Sequence, residues 1–419
     1  DSTDGKGKLV AIAAGGARVD TLSPGAAEIV FDTTPFYAES GGQAGDHGEI
    51  VFANGARFIV RDVQKRAADL HVHIGELVSG EVKLGESADL RVDAERRRAI
   101  MANHSATHIM HAALRKVLGE HVTQKGSLVE ADRFRFDFSH NGPMSQAEIE
   151  AVEDEVNAQI RENMPTGIQV TSPDKAIEAG ALALFGEKYG DEVRVLSMGT
   201  GDARRYSVEL CGGTHVERSG DIGLFVITSE SGVSAGVRRV EAATGAEAVA
   251  FLKGRAQIAV DLSESLKVPL KDVPRRVAAL GDERKALEKE LAEAKRKLAM
   301  GGGGAAPAGP EEINGVKLMA RIAEGVGGKE LRTLVDEAKA QIGSGIVVFV
   351  GVADGKAGVA VGVTKDLTDT YSAVDLVKAA SEALGGKGGG GRPDMAQAGG
   401  PDADKADEAL AAVRAALAG

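Results

Sequence analysis

Asn103-His104-Ser105-Ala106-Thr107-His108 is the stretch that indicates how the chain is organised. In a helix, the four-residue spacing places both imidazoles on one face, where they can reach one ion. About a hundred residues later, Cys211-Gly212-Gly213-Thr214-His215 holds the only cysteine and another histidine four positions on. Either pair alone is more often a solvated or core-packed pair than a metal site. Together they offer three imidazoles and one thiolate, which suit zinc, and we predict the ligands His104, His108, Cys211 and His215.

The helix that carries the paired histidines is predicted to begin after Asp93, a good N-cap residue, and to end near Gly119. Apolar residues at helical spacing share its inward face with the histidines. His111 lies on the same face and stays open as a spare ligand.

Residues 1–92 are predicted to form a small β-barrel or a sandwich. Short apolar runs with β-branched residues are separated by Gly, Asn and Asp, and Asn54-Gly55 between two such runs indicates a hairpin. The glycine-rich stretch 36–48 is too irregular for a strand or a helix.

Residues 93–244 are predicted to form an α+β domain. Polar and apolar residues alternate over 133–138, as expected for a half-buried strand. Ser145 and Glu148 form a capping box that begins a second helix. Further strands are expected at 193–197, 206–210, 224–228 and 237–242. Cys211 is therefore expected to follow the end of a strand and to precede a Gly-Gly turn.

Residues 245–300 are predicted to be two long helices. From Val273 to Leu298, apolar residues recur at spacings that alternate between four and three residues. This is a heptad seam, with one charged interruption at Arg284. A helical hairpin packing on itself and a coiled coil between two chains both explain this seam.

Residues 301–419 are predicted to form a small α/β domain after a glycine-rich linker over 301–310. We expect a strand at 316–323, a helix at 329–341, a hairpin over 346–363 and a helix at 373–384. The glycine-rich segment 385–400 carries Lys387 and Arg392. It is either a flexible loop or a segment whose backbone amides approach phosphate, and it matches no Walker pattern.

Composition limits the classes of function. The 419 residues carry a net charge of −12, which argues against non-specific nucleic-acid binding through bulk charge. A single cysteine excludes an internal disulfide and is typical of a reducing compartment. No run of about 18 apolar residues predicts a membrane span. The sequence begins with Asp1 rather than Met, which is expected of a fragment.

Five motifs, in this order and at this spacing, resemble the editing part of the alanyl-tRNA synthetase family. They are FYAESGGQAGDHG at 36–48, NHSATH at 103–108, QKGS at 124–127, CGGTH at 211–215 and GVRRVEA at 236–242. The segment ending in RPDMAQ at 392–397 resembles that family's C-terminal domain. The resemblance covers essentially the whole chain. It leaves out the family's class II aminoacylation domain, which binds ATP and alanine.

The resemblance implies a C-terminal fragment with an α+β multidomain fold and no ATP site. Its parts would be a small β-barrel (1–92), an α+β zinc-containing editing domain (93–244), a long helical hairpin or coiled coil (245–300) and a small α/β C-terminal globular domain (301–419). A homodimer would form through the coiled coil or the C-terminal domain.

The function that the resemblance implies is that of a cytoplasmic aminoacyl-tRNA deacylase, an ester hydrolase. It would edit tRNA(Ala) mischarged with Ser or Gly, as part of an alanine-tRNA ligase. Thr107 and Gln124 match family positions near the editing pocket, where they would recognise substrate and orient the attacking water. Thr107 packing in the helix and Gln124 capping a loop are the plainer alternatives. Lys387 and Arg392 are expected to contact the tRNA outer corner.

Three alternatives stay open from the sequence. Zinc could have four protein ligands, or three with an open position. The chain could be a free-standing deacylase that edits in trans. It could also be a non-catalytic zinc-stabilised module that binds tRNA and dimerises.

Overall fold

The computed structural model describes residues 2–67, 69–178, 180–181, 191–199, 205–300, 309–353 and 355–419. The chain divides into two compact units, Asp1–Asp261 and Leu262–Gly419. No helix in the described part of the chain is long and apolar enough to cross a membrane.

The first unit begins with a closed β-barrel. Its strands are β1 (Asp4–Ala14), β2 (Ala17–Arg18), β3 (Thr21–Leu22), β4 (Gly25–Phe31), β5 (Gly48–Phe52), β6 (Arg57–Arg66), β7 (Leu70–Ser79), β8 (Val82–Lys83) and β9 (Ser87–Val92). Six antiparallel strands follow the order β1-β4-β7-β6-β5-β9, and β9 pairs back with β1. Closure leaves these six strands without a free edge. The predicted small barrel is therefore confirmed.

The interior of the barrel is filled by aliphatic side chains and phenylalanines, since alternate residues of each strand point inward. The predicted hairpin turn at Asn54-Gly55 joins β5 to β6. Gly55 adopts a φ of +84°, which favours glycine. Residues 36–47 contain no regular strand or helix, as expected, and β5 begins at the last residue of the stretch, Gly48.

Helix α1 (Ala94–Leu118) follows the barrel. The Asp93 side chain accepts a hydrogen bond from the backbone N–H of Arg96, so it caps the helix as predicted. A buried ion pair joins Arg97 to Asp46, and the Arg97 guanidinium also donates to the Pro35 carbonyl at 2.9 Å. These contacts fix α1 against the 36–48 segment.

The rest of the α+β region holds two antiparallel sheets. One has the order β10 (Gln124–Val129), β11 (Phe134–Ser139), β16 (Val237–Thr244) and β15 (Phe225–Ser234). The other has the order β12 (Thr166–Thr171), β13 (Val193–Met198) and β14 (Ser207–Leu210). The helices are α2 (Gln146–Arg161), with the predicted Ser145–Glu148 capping box, and the short α3 (Pro173–Glu178).

Two long helices come next, α4 (Gly245–Leu266) and α5 (Val273–Ala299). Both were expected. The seam residues Val277, Leu287 and Leu291 are 52%, 64% and 56% exposed in the single chain. The hairpin and the two-chain coiled coil both stay predictions. Most of the predicted linker, residues 301–308, lies outside the described residues.

The second unit contains a six-stranded sheet covered by helices on both faces. Its strand order is β17 (Glu311–Ile313), β18 (Val316–Glu324), β19 (Ile346–Ala353), β20 (Lys356–Val363), β22 (Met395–Gly400) and β21 (Gly389–Arg392). Besides α5, this unit contains the helices α6 (Gly328–Ile342), α7 (Ala373–Ala383) and α8 (Ala406–Ala418). The parallel pair β18–β19 is joined through α6, which packs on one face, while α7 and α8 pack on the other.

The glycine-rich segment 385–400 is not a plain loop, because β21 and β22 within it form a hairpin at the sheet edge. Its glycines allow close packing. A Cβ on Gly389 would lie 2.7 Å from the Val377 side chain, and one on Gly400 would lie 2.0 Å from the Leu384 carbonyl. Composition alone did not distinguish this packed hairpin from a flexible segment.

Candidate metal centre

The structure brings the four predicted ligands together. His104 and His108 lie on α1, and Cys211 and His215 lie in the segment that follows β14. One ligating atom from each lies within 4.8 Å of all the others. The Cys211 sulfur is 3.5 Å from His104 Nε2 and 3.2 Å from His215 Nε2. This buried donor set could hold a metal ion.

The segment after β14 approaches α1 closely because Gly213 has no side chain. A Cβ at Gly213 would lie 2.1 Å from His104 Cε1 and 2.7 Å from Gln43 Oε1, far inside van der Waals contact. Any other residue would push this segment away from the helix and separate Cys211 from the paired histidines.

Gln43 ties His104 to the same segment. Its side chain is fully buried. Its Oε1 atom accepts hydrogen bonds from His104 Nδ1 at 2.7 Å and from the Thr214 backbone N–H at 2.9 Å, and its Nε2 donates to Thr214 Oγ1 at 2.9 Å. With the proton on Nδ1, the Nε2 lone pair of His104 is free to bind an ion.

Glu209, on β14, holds two histidines of α1. Its Oε2 is 2.7 Å from His108 Nδ1, and its Oε1 is 3.0 Å from His111 Nδ1. The Nε2 atoms of both histidines are buried and have no hydrogen-bond partner among the described residues. A buried nitrogen without a partner is costly, and a bound ion at His108 Nε2 would satisfy it.

Ser105 supports the fourth ligand. Its hydroxyl oxygen lies 3.2 Å from His215 Nδ1 and accepts the Val216 backbone N–H at 3.1 Å. Each of the three imidazoles therefore has a polar partner at Nδ1, and this arrangement leaves Nε2 for the shared centre.

The charges around the cluster favour a thiolate at Cys211 and a neutral imidazole at His215, which are the forms that bind metal, whereas they favour a protonated His108. Burial raises the pKa of the Cys211 thiol, but the imidazoles of His104 and His108 outweigh burial and hold that pKa well below its usual value. Burial, and after it the proximity of the His104 imidazole, lower the pKa of His215 to about 3. Burial opposes charge on His108, but Glu209 and Cys211 outweigh it and raise the pKa of His108 to about 10. An ion at His108 Nε2 would thus replace a proton.

A cavity of about 930 Å³ opens beside the cluster, and both predicted catalytic residues line it. Thr107 is buried, and its hydroxyl donates to the Asn103 carbonyl at 2.9 Å, so its oxygen can still accept a hydrogen bond. Gln124 is half-buried, and its Nε2 lies 3.3 Å from Ser127 Oγ. Their roles in substrate recognition stay predictions.

The predicted tRNA-binding residues lie in the second unit, at the glycine-rich hairpin. Lys387 precedes β21 and is exposed. Arg392 ends β21, is also exposed, and lies 3.1 Å from the Asp394 carboxylate. Their contact with tRNA stays a prediction.

Sequence reasoning gave no role to three residues that support the cluster. They are Gln43, Ser105 and Glu209. Gln43 and Ser105 lie inside the quoted motifs. The signal for Gln43 was a polar residue in a glycine-rich stretch, and the signal for Ser105 was a serine between the paired histidines. Glu209 faces inward from a strand two residues before Cys211, and an acidic residue at such a position was the third signal.

Three family models match the chain. The model for class II tRNA synthetases (A) matches residues 1–96, the threonyl and alanyl tRNA synthetase second additional domain matches 193–241, and the DHHA1 domain matches 315–419. A solved C-Ala domain of Aquifex aeolicus alanyl-tRNA synthetase aligns with 27% of this chain and 100% of its own length, at 30% identity and a TM-score of 0.26.

Curated relatives match over the full length of this chain. The alanine–tRNA ligase of Hyphomonas neptunium is 77% identical over 420 residues, and that of Parvibaculum lavamentivorans is 55% identical over 425. Each alignment covers 100% of this chain and 48% of the relative. Two of the three matching domain models are described as parts of tRNA synthetases, one of them as class II. More narrowly, the chain belongs to the alanyl-tRNA synthetase family. It spans about half the length of the curated relatives it matches.

Proposed function

We propose that this chain hydrolyses the aminoacyl ester of tRNA(Ala) that has been mischarged with serine or glycine. It would do so as the editing part of an alanine-tRNA ligase in the cytoplasm. The observation that carries the proposal is the buried cluster of three imidazoles and one thiol in the wall of a large cavity. The match to a second additional domain of threonyl and alanyl synthetases supports it.

Such editing has a physical reason. Glycine is smaller than alanine and fits any alanine pocket, while serine adds only one hydroxyl. A difference of one small group supplies about 1–3 kcal/mol of discrimination, which is too little for accurate charging. A second site that removes the wrong esters corrects the errors.

The metal that best fits the cluster is zinc. Its ligands would be Nε2 of His104, His108 and His215 and the Cys211 thiolate, a nitrogen–sulfur set that zinc prefers. The tautomer control by Gln43 and Glu209 and the unpartnered His108 nitrogen support this fit. When bound, zinc supplies Lewis acidity and holds the cavity wall in place.

Thr107 and Gln124 would act on the ester inside the cavity. The Thr107 oxygen can accept a hydrogen bond from the seryl hydroxyl, since its own proton is donated to the helix backbone. The Gln124 amide can orient the attacking water. Alanine would leave the Thr107 oxygen unpaired, so this contact favours the seryl ester over the correct alanyl ester; the glycyl ester, which also lacks a hydroxyl, gains nothing from it.

Binding of tRNA(Ala) by the second unit is part of the proposal. Lys387 and Arg392 are exposed cations on a glycine-rich edge hairpin, where phosphate can approach the backbone closely. Loss of tRNA affinity in a Lys387→Ala, Arg392→Ala double variant would support this role. Unchanged affinity would contradict it.

The test is deacylation of Ser-tRNA(Ala) and Gly-tRNA(Ala) by the purified 419-residue chain, with metal analysis of the same sample. Cys211→Ala is expected to lose zinc and activity together, while His140→Ala, a half-buried histidine outside the cluster, keeps both. A chain that binds zinc and tRNA but releases no serine would instead be a non-catalytic module. Activity on tRNA charged by a separate synthetase would show that the chain can edit in trans.

A further inference from the structure

The cavity beside the metal cluster has a second wall, and the barrel provides it. Tyr37 follows β4, Lys65 lies on β6 and His71 on β7, directly opposite Lys65 in the strand register. From the other side, Lys125 of β10 lines the same cavity. Barrel and α+β region thus enclose one space within the first unit.

This space is larger than the proposed aminoacyl group requires. Its volume of about 930 Å³ is near the upper end of the range in which whole drug-sized ligands bind, about 300–1,000 Å³. A seryl or glycyl group has only a few heavy atoms. The cavity therefore has room for the nucleotide that carries the ester.

The lining of the cavity carries three cationic side chains although the chain as a whole is acidic. Lys65, Lys125 and Arg115 line it, and among its described lining residues Glu209 is the only acid, already engaged by two imidazoles. Lys65 lies 2.6 Å from Asp69, which is 85% exposed. Such an exposed pair is weak, so a phosphate can replace the carboxylate at little cost.

Aromatic faces accompany these cations. Tyr37 and His71 are half-buried rings on the barrel side of the cavity. The Tyr37 ring is held by its backbone N–H, which donates to Asp46 at 2.6 Å, and by its hydroxyl, which donates to the Ser40 carbonyl at 3.0 Å. Cations interleaved with rigid rings are the pattern that binds single-stranded nucleic acid through phosphates and stacked bases.

We propose that the barrel wall formed by Tyr37, Lys65 and His71, with Lys125 opposite, binds the single-stranded 3′ end of the tRNA and directs its terminal ester towards the metal cluster. The lysines bind the last phosphates, and the rings stack on the terminal bases. This inference rests on the proposed deacylase function for the ester, but the RNA site itself can be tested without hydrolysis.

The binding test uses the whole chain and a fluorescently labelled single-stranded RNA ending in CCA, followed by anisotropy over a range of salt. Lys65→Ala and Lys125→Ala are each expected to weaken binding about threefold. Each should also reduce the slope of log affinity against log salt by about 0.7. Lys83→Ala is the control, because Lys83 is an exposed lysine of β8 that does not line the cavity.

Stacking is tested separately at Tyr37. Tyr37→Leu is expected to weaken binding about tenfold, whereas Tyr37→Phe keeps most of the affinity. Circular dichroism melting of each variant separates loss of binding from loss of folding. Equal effects of Leu and Phe at Tyr37, or equal affinities of the Lys65, Lys125 and Lys83 variants, would overturn the proposal.

Kinetics distinguishes this inference from the proposed function. With Ser-tRNA(Ala), the Lys65→Ala, Lys125→Ala double variant is expected to raise KM about tenfold with little change in kcat. If the chain hydrolyses Ser-tRNA(Ala) and the double variant leaves KM unchanged, the barrel site is wrong and the deacylase function stands. If RNA binding depends on the lysines but no ester is hydrolysed, the deacylase function is wrong and the RNA site stands.

Discussion

Replacing Glu209 by glutamine tests how the metal cluster is built. The Glu209 carboxylate is almost fully buried and accepts from His108 Nδ1 at 2.7 Å and from His111 Nδ1 at 3.0 Å. Glutamine has the same shape but offers one oxygen and one amide nitrogen. Only one imidazole can then keep an acceptor, and the other faces an N–H donor. If His108 loses its acceptor, its proton moves to Nε2 and blocks ligation.

The expected magnitude follows from that mismatch. Loss of an outer partner of a ligating histidine commonly lowers metal affinity about 10–100-fold, or about 1.4–2.7 kcal/mol. We expect Glu209→Gln to weaken zinc binding by this amount, measured by competition with a chromophoric chelator. Deacylation should fall in proportion to zinc occupancy and recover at high zinc, because Glu209 acts through His108.

A matched control removes a similar charge elsewhere. Glu230 is a largely buried carboxylate on β15 that pairs with Arg238, and it does not line the cavity. Glu230→Gln should leave zinc affinity unchanged. Zinc affinity that is the same in Glu209→Gln and in the wild type would refute the reasoning, and so would an equal loss in both variants.

Three further predictions concern the first unit. Gly213→Ala should weaken zinc binding with little effect on the barrel, because the new Cβ would lie 2.1 Å from the His104 ring; metal analysis of the folded variant checks this. Asp46→Asn should lower the free energy of unfolding by about 3–5 kcal/mol in urea titrations, since it leaves the buried Arg97 charge unpaired, and a loss below 1 kcal/mol would contradict that expectation. Burial lowers the pKa of His73 to about 4, so the unfolded chain takes up a proton that the folded chain rejects. Stability should therefore fall by about 1.4 kcal/mol per pH unit from about pH 6.5 to 4 and then level off, and His73→Gln should remove that part of the slope.

Local patterns made much of the fold predictable. Helix α1 begins and ends as expected because Asp93 and Gly119 act through neighbouring backbone groups. The Ser145–Glu148 capping box is equally local. Strand β12 and helix α8 were missed, because the first has little apolar patterning and the second is an alanine-rich run after a glycine-rich segment.

The candidate site was predictable as a set of ligands but not as an assembly. Histidine spacing on a helix and the single cysteine were enough to select the four ligands. The partners of those ligands come from three separate parts of the chain, and hydrogen bonds such as Gln43 to His104 span 61 positions. No sequence pattern records such pairs.

The sequence by itself determined the helix that presents the paired imidazoles, the strand and glycine turn that present the thiol, and the family to which the chain belongs. These follow from short-range spacing and capping. Only the tertiary structure decided that the barrel closes through β1 and β9, that Glu209 holds two histidines, and that the barrel forms one wall of the cavity. Those features depend on which buried surfaces pack against each other, and packing is a property of the whole folded unit.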